Sequence, residues 1–93
     1  ITENIPRIIP KDLAADIDLN GWKFPKAFQW LQEKGKISNE DMLRIFNCGI
    51  GLAIILPLSE VKSLKNLASK YKFKAYRIGK IVKRTHSELT YLN

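Results

Sequence analysis

The chain has 93 residues, of which 45% are hydrophobic and 27% charged, and its formal net charge is +7. This length allows one small domain, and this composition is typical of a globular protein rather than a disordered one. No apolar run approaches the ~20 residues that a membrane-spanning helix needs.

The charge and the cysteine count limit the partners and the compartment. The 16 Lys and Arg residues outnumber the 9 acidic ones, but most are lysines spread along predicted helices, and no DNA- or RNA-binding signature accompanies them. We therefore expect neither a nucleic-acid partner nor a membrane partner. The single cysteine, Cys48, excludes an internal disulfide and a cysteine-based metal site, and it favours a reduced, cytoplasmic setting.

The chain begins with an irregular segment followed by a predicted strand. Residues 1–13 contain Pro6 and Pro10, which disfavour a helix, so we expect irregular structure there. Residues 15–19 alternate apolar and acidic side chains, which is the period of a half-buried strand. Asn20 and the glycine after it predict a turn.

Two helices are predicted next. Residues 24–34 carry apolar side chains at helical spacing, with Pro25 in the first turn and Gly35 as the C-terminal cap. Residues 39–46 form the second helix, and Ser38 provides its N-terminal cap. We assign the two tryptophans to core packing or to packing between elements rather than to a surface on which a ligand stacks.

An apolar run beginning at Ile50 predicts the centre of the sheet. Residues 50–56 are bounded by glycine and Pro57 and are rich in β-branched side chains, which predicts a strand buried on both faces. Gly49 and Gly51 at its start fit either a bulge or the close approach of another element. Cys48 beside them is predicted to be a structural thiol.

The last third of the chain predicts one helix and two strands. The helix covers residues 60–71 and is capped by Ser59, and strands cover residues 73–82 and 88–92 around a polar turn. The complete order predicts an α/β (α+β-like) fold in which helices pack on a mixed β-sheet.

Few residues carry recognisable chemistry, and no catalytic triad or P-loop is present. The segment containing Glu3, Asn4 and Arg7 either binds a phosphate through the Arg7 guanidinium or only places Arg7 in a surface ion pair with Glu3 or Asp12. The pattern alone favours the ion pair. A second anion site is conceivable where Lys80, Lys83 and Arg84 precede His86, although such a turn is more often just exposed.

Three motifs resemble one enzyme family. Residues 3–7 read Glu-Asn-Ile-Pro-Arg, residues 28–32 read Phe-Gln-Trp-Leu-Gln, and residues 46–51 read Phe-Asn-Cys-Gly-Ile-Gly. Together, in this order and spacing, they resemble the C-terminal segment of the phosphoribosylformylglycinamidine cyclo-ligases, also called aminoimidazole ribonucleotide synthetases. The resemblance extends from Thr2 to about Val82.

The resemblance implies that residues 1–93 are the latter part of a C-terminal domain, without the preceding glycine-rich stretch and the N-terminal ATP-binding domain. Because the chain starts at Ile1 and its only methionine is Met42, a processed or excised piece is also the expectation from the residues. The parent enzyme would use ATP and Mg²⁺ to close the imidazole ring in purine biosynthesis, as a cytoplasmic homodimer. The isolated chain would be inactive.

The resemblance also implies a substrate-binding site. Glu3, Asn4 and Arg7 would lie in the cleft that holds the phosphorylated substrate, with Arg7 contacting its phosphate or fixing the upstream glycine-rich loop. A second group, at the start of the predicted central strand, would form the cleft floor: Asn47, Gly49 and Gly51. No catalytic base is assigned. The alternative is a small α/β binding or regulatory module that packs on a partner domain. The fragment hypothesis predicts an exposed apolar patch.

Overall fold

A three-stranded sheet lies at the centre of the computed structural model, which describes residues 1–92. The strands are β1 (Leu13–Asp18), β2 (Gly79–Lys83) and β3 (Leu89–Leu92), in the order β2-β1-β3. β1 pairs antiparallel with β2 and parallel with β3. The sheet is therefore mixed, as predicted.

Four α-helices accompany this sheet within the described residues. They are α1 (Asn4–Arg7), α2 (Lys26–Gly35), α3 (Asn39–Ile45) and α4 (Val61–Lys70). A short 3-10 helix at Leu58–Glu60 leads directly into α4. Helices packed on a small mixed sheet confirm the predicted fold class.

β1 is the central strand because its inward side chains are small or apolar and its two edges are both paired. Ala15 and Ile17 are almost completely buried. In the register, Ile17 lies opposite Gly79 of β2 and Tyr91 of β3. A Cβ atom at Gly79 would overlap the carbonyl oxygen of Asp16, so this register requires glycine there.

The prediction of a central strand at residues 50–56 is wrong. Residues 50–57 have no regular secondary structure, and the side chains of Leu52, Ile54 and Ile55 are 79%, 53% and 49% exposed. An apolar composition does not by itself make a buried strand, because a strand also needs neighbours that satisfy its backbone. In the described part of the chain β1 occupies the centre, and its two edges are taken by β2 and β3.

The prediction of irregular structure throughout residues 1–13 is also wrong, because α1 forms there. Pro6 lies in the first turn of α1, where the backbone N–H groups have no partner within the helix and a missing N–H costs nothing. The Ile5 N–H donates to the carbonyl of Ile1 at 3.2 Å and so closes a turn before the helix.

The helix ends agree with the sequence at Ser38 and differ elsewhere. α2 begins at Lys26 rather than at residue 24, so Pro25 precedes its first turn. Ser38 caps α3 as predicted, since its hydroxyl oxygen accepts a hydrogen bond from the Asp41 N–H at 3.1 Å. α2 includes Gly35, and Lys36 takes the left-handed conformation after it (φ 50°). Ser59 is not a cap, because it lies inside the 3-10 helix.

The two predicted C-terminal strands are both present, but the first is shorter than predicted. It begins at Gly79 rather than at residue 73, since residues 73–78 have no regular structure. The second, β3, agrees closely with the predicted residues 88–92.

The core lies where α3 and the following turn pack against β1. Met42, Leu43 and Cys48 are completely buried, and burial of a Met or Leu side chain contributes ~1.5–3 kcal/mol. Trp22 is buried and its Nε1–H donates to the carbonyl oxygen of Cys48 at 3.0 Å. Trp22 therefore belongs to the core, whereas Trp30, which is 58% exposed, does not.

Among residues 1–92, no helix is both long enough and apolar enough to cross a bilayer.

Candidate functional site

Several contacts attach the N-terminal segment to the rest of the fold. The Ile5 side chain is buried in the core. The Thr2 hydroxyl is hydrogen-bonded to the Tyr91 hydroxyl, across the whole length of the chain. Burial raises the pKa of Tyr91 above its ordinary value, with the Thr2 hydrogen bond opposing, so the phenol stays protonated at neutral pH. These contacts hold α1 in place.

α1 presents the three predicted polar residues to solvent. Glu3, Asn4 and Arg7 are all exposed. The ion pair of Arg7 with Glu3 or Asp12, which the sequence pattern favoured, is absent from residues 1–92, where the ion pair present joins other side chains. The Arg7 guanidinium is therefore available to a ligand.

The turn after α3 has a defined and constrained shape. Cys48 and Gly49 both have positive φ, at 51° and 96°. The Asn47 side-chain oxygen accepts a hydrogen bond from the Gly49 N–H at 2.9 Å, and the Asn47 carbonyl accepts one from the Ile50 N–H at 3.0 Å. Asn47 thus folds the turn around its own side chain and backbone.

The two glycines of this turn differ in what the structure demands of them. A Cβ atom on Gly49 would lie 2.6 Å from two ring carbons of Pro25, and φ there favours glycine. A Cβ atom on Gly51 would meet no atom within 4 Å. Gly49 is therefore required by the backbone and by its close approach to Pro25, whereas Gly51 is not.

The buried thiol next to these glycines is structural. Cys48 is completely inaccessible, and its Sγ lies 3.4 Å from the Met42 carbonyl oxygen, to which it donates. Burial raises the pKa of the Cys48 thiol above 9.0, while the N-terminal ammonium lowers it. The thiol is thus protonated and enclosed, which confirms the prediction made for it.

The predicted site residues fall on two different surfaces. Gly49 and Gly51 line a large apolar cavity of about 890 Å³, whereas Arg7 lines a smaller cavity of about 210 Å³. Glu3, Asn4 and Asn47 line neither cavity.

We call the larger cavity the apolar groove. Its walls are residues 49–56, the apolar face of α4 and residues 73–81. Leu52 and Phe73 on these walls are 79% and 73% exposed, so the groove is open to solvent. This is the exposed apolar patch that the fragment hypothesis predicts.

The smaller cavity brings together basic residues that are far apart in the sequence. Arg7, Lys11 and Arg84 line it together with Glu88. The predicted cluster of Lys80, Lys83 and Arg84 near His86 does not line one common cavity, because Arg84 lines the smaller cavity, Lys80 lines the apolar groove and Lys83 lines neither. No spacing in the sequence signals that Arg7 and Arg84 line the same cavity, because their proximity depends on the register of β1 with β2.

Residues 1–92 contain no group of three or more His, Cys, Asp or Glu side chains that could hold a metal ion.

Comparison with known proteins gives a consistent result. The family model described as "AIR synthase related protein, C-terminal domain" matches residues 1–92. A phosphoribosylformylglycinamidine cyclo-ligase of Neisseria gonorrhoeae is 41% identical over 88 residues, which are 95% of this chain and 26% of that protein. The protein of the same name from Methylobacillus flagellatus is 42% identical over 81 residues, 87% of this chain and 23% of that protein. The chain thus spans about a quarter of the length of these curated relatives.

Proposed function

The chain belongs to the family of AIR synthase related proteins, whose C-terminal domain it matches, and we propose that it is the latter part of that domain in a phosphoribosylformylglycinamidine cyclo-ligase. The observation that carries the proposal is the 41% identity to such a protein over 95% of the chain. The family model matches residues 1–92 and so includes all six of the predicted site residues.

The reaction proposed for the complete enzyme is an ATP-dependent ring closure. ATP phosphorylates the formyl amide oxygen of formylglycinamidine ribonucleotide, which releases ADP. The amidine nitrogen then attacks the activated carbon, and phosphate leaves as the imidazole ring closes. Phosphorylation is needed because an amide oxygen is a poor leaving group. Such catalysis depends on positioning and on stabilising the negative charge of the phosphoryl group.

The residues of this chain would contribute binding rather than proton transfer. The exposed Arg7 guanidinium offers paired N–H donors to a phosphate, Asn4 lies on the same short helix, and Glu3 is the residue that precedes it. The turn that contains Asn47, Gly49 and Gly51 would form the floor of the cleft, and its two glycines also line the apolar groove. Because residues 1–92 contain no group of three or more His, Cys, Asp or Glu side chains, we propose that other parts of the enzyme contribute to the Mg²⁺ site and to most ATP contacts.

The apolar groove supports the view that this chain packs against another part of the same protein. A groove of about 890 Å³ with widely exposed Leu52 and Phe73 is unusual for a complete small domain. We propose that the N-terminal domain and the preceding residues of the C-terminal domain cover it in a cytoplasmic homodimer, and that the isolated chain is inactive. The second candidate function is a binding module, because the same groove could pack against a partner domain.

A segment exchange tests the proposal. The 88-residue segment that matches in the Neisseria gonorrhoeae enzyme is replaced by the corresponding residues of this chain, and substrate-dependent release of ADP is measured. We expect the chimera to be active and the 93-residue chain alone to be inactive. An Arg7→Ala chimera is expected to lose activity, mainly through a higher KM if Arg7 binds the substrate equally in ground state and transition state.

A folded but inactive chimera, with the unmodified relative active in the same assay, would contradict the proposal and favour the binding module. Circular dichroism and thermal unfolding of the chimera establish that it is folded. An Arg7→Ala chimera with unchanged kcat and KM would remove Arg7 from the site without affecting the family assignment.

A further inference from the structure

The smaller cavity is formed by two segments that the sheet brings side by side. α1 and the residues after it supply one wall, with Arg7 and Lys11, and the residues after β2 supply the other, with Arg84 and Glu88. The antiparallel register places Leu13 opposite Lys83. Continuing this pairing by one residue, the Arg84 N–H donates to the Asp12 carbonyl oxygen at 2.9 Å. The position of Arg84 relative to Lys11 is therefore fixed by the sheet itself.

The side chain of Arg84 is also oriented by the backbone around it. Its Nη1 donates to the Lys11 carbonyl oxygen and its Nε to the His86 carbonyl oxygen, both at 3.4 Å. These contacts hold the guanidinium across the gap between the two segments. A guanidinium has more N–H donors than these two bonds use, so the remaining donors can serve a ligand.

The charge in this cavity is not neutralised by direct contacts. Arg7, Lys11 and Arg84 are positive at neutral pH, and Glu88 is the carboxylate on the lining. Within residues 1–92 the ion pair present is that of Arg44 with Asp41, at 3.7 Å. The three cations therefore leave an excess of positive charge, and two of them are guanidinium groups, which bind phosphate oxygens through paired hydrogen bonds.

We propose that Arg7, Lys11 and Arg84 form a binding site for a phosphoryl group. The cavity of about 210 Å³ is smaller than the ~300–1,000 Å³ of pockets that enclose a whole drug-sized ligand. It therefore holds the phosphoryl group while the rest of the ligand lies outside. The apolar groove is unsuitable for this role, because an anion there would lose its hydration without gaining partners. The choice of a phosphorylated metabolite rests on the proposed function, but the anion site itself does not.

The test is a titration of the 93-residue chain into inorganic phosphate, ribose 5-phosphate or ADP at constant ionic strength, followed by the phosphorus NMR line width of each probe. We expect saturable binding of a phosphoryl-bearing probe. Tighter binding of ribose 5-phosphate identifies a monoester site, and tighter binding of ADP identifies a nucleotide site. Arg84→Gln is expected to weaken binding about tenfold or more, since hydrogen bonds to charged groups contribute ~1.5–3 kcal/mol.

Lys83→Gln is the matched control. It removes the same charge at the neighbouring position, where the side chain does not line the cavity. We expect it to change the affinity by less than about twofold, because exposed charges at a distance are screened. Arg7→Gln changes the opposite wall and is expected to act like Arg84→Gln. Circular dichroism confirms that each variant is folded. Absence of saturation, or an equal loss of affinity in Lys83→Gln and Arg84→Gln, would overturn the proposal. Either result leaves the activity of the chimera as a separate test of the proposed function.

Discussion

Replacement of Gly49 by alanine tests whether the turn after α3 needs the shape that the structure gives it. The new Cβ would lie 2.6 Å from Cγ and Cδ of Pro25, and the backbone has φ 96°. A residue held in a sparsely populated backbone region costs ~1–3 kcal/mol, and the overlap with the proline ring adds to this because a ring cannot rotate away. We expect the free energy of unfolding to fall by about 2–3 kcal/mol. For a domain of this size each kcal/mol lowers Tm by ~4–8 °C.

Gly51→Ala is the matched control for this experiment. A Cβ there would meet no atom within 4 Å, and alanine restricts the unfolded chain, so stability should be unchanged or higher by up to ~1 kcal/mol. The measurement is thermal and urea unfolding of the two variants and the parent chain, followed by circular dichroism. If Gly49→Ala unfolds at the same temperature as Gly51→Ala, the close approach of the turn to Pro25 and its positive φ are not features of the folded protein.

Two further predictions concern the buried thiol and the apolar groove. Because the pKa of Cys48 is raised above 9.0 in the folded chain, the unfolded chain releases this proton first, so the free energy of unfolding should fall as the pH rises through and above 9.0. Urea unfolding at several pH values should show a shallower fall in Cys48→Ala, and identical slopes would refute the assignment. The isolated chain should self-associate through the groove, so Leu52→Lys should lower its weight-average mass in sedimentation. Trp30→Lys introduces the same lysine outside the groove and should leave that mass unchanged. A monomer at every concentration would contradict this.

The sequence predicts those elements whose partners are local or whose period is unambiguous. The alternation of residues 15–19 predicts β1, and Ser38 predicts the start of α3, because a cap is satisfied by the N–H of Asp41 three residues away. Residues 50–56 have the composition of a buried strand, but a strand is defined by its neighbours, and these are not adjacent in the sequence. The prediction failed where the information was not local.

The residues of the candidate site likewise divide into those that local sequence identifies and those that it does not. Resemblance of motifs identifies Arg7 and the Asn47–Gly51 turn, because these residues are close together within each motif. The approach of Arg84 to Arg7 depends on which residue of β1 pairs with which residue of β2, and this register is set by tertiary packing and by the glycine at position 79. Neither the charge of Arg84 nor its sequence neighbours contain that information.

The position of β1 has a consequence for how the chain folds. β1 is complete at residue 18, but both of its partners come from residues 79–92. During synthesis β1 emerges from the ribosome before either of these strands exists, so the pairs that β1 makes in this fold cannot form until residues 79–92 have been made. Sheet formation must therefore close long loops, which slows folding and lengthens the time during which β1 can pair with other chains. The contacts of α3 with the turn that contains Cys48, being local, can form in that interval and protect the nascent chain.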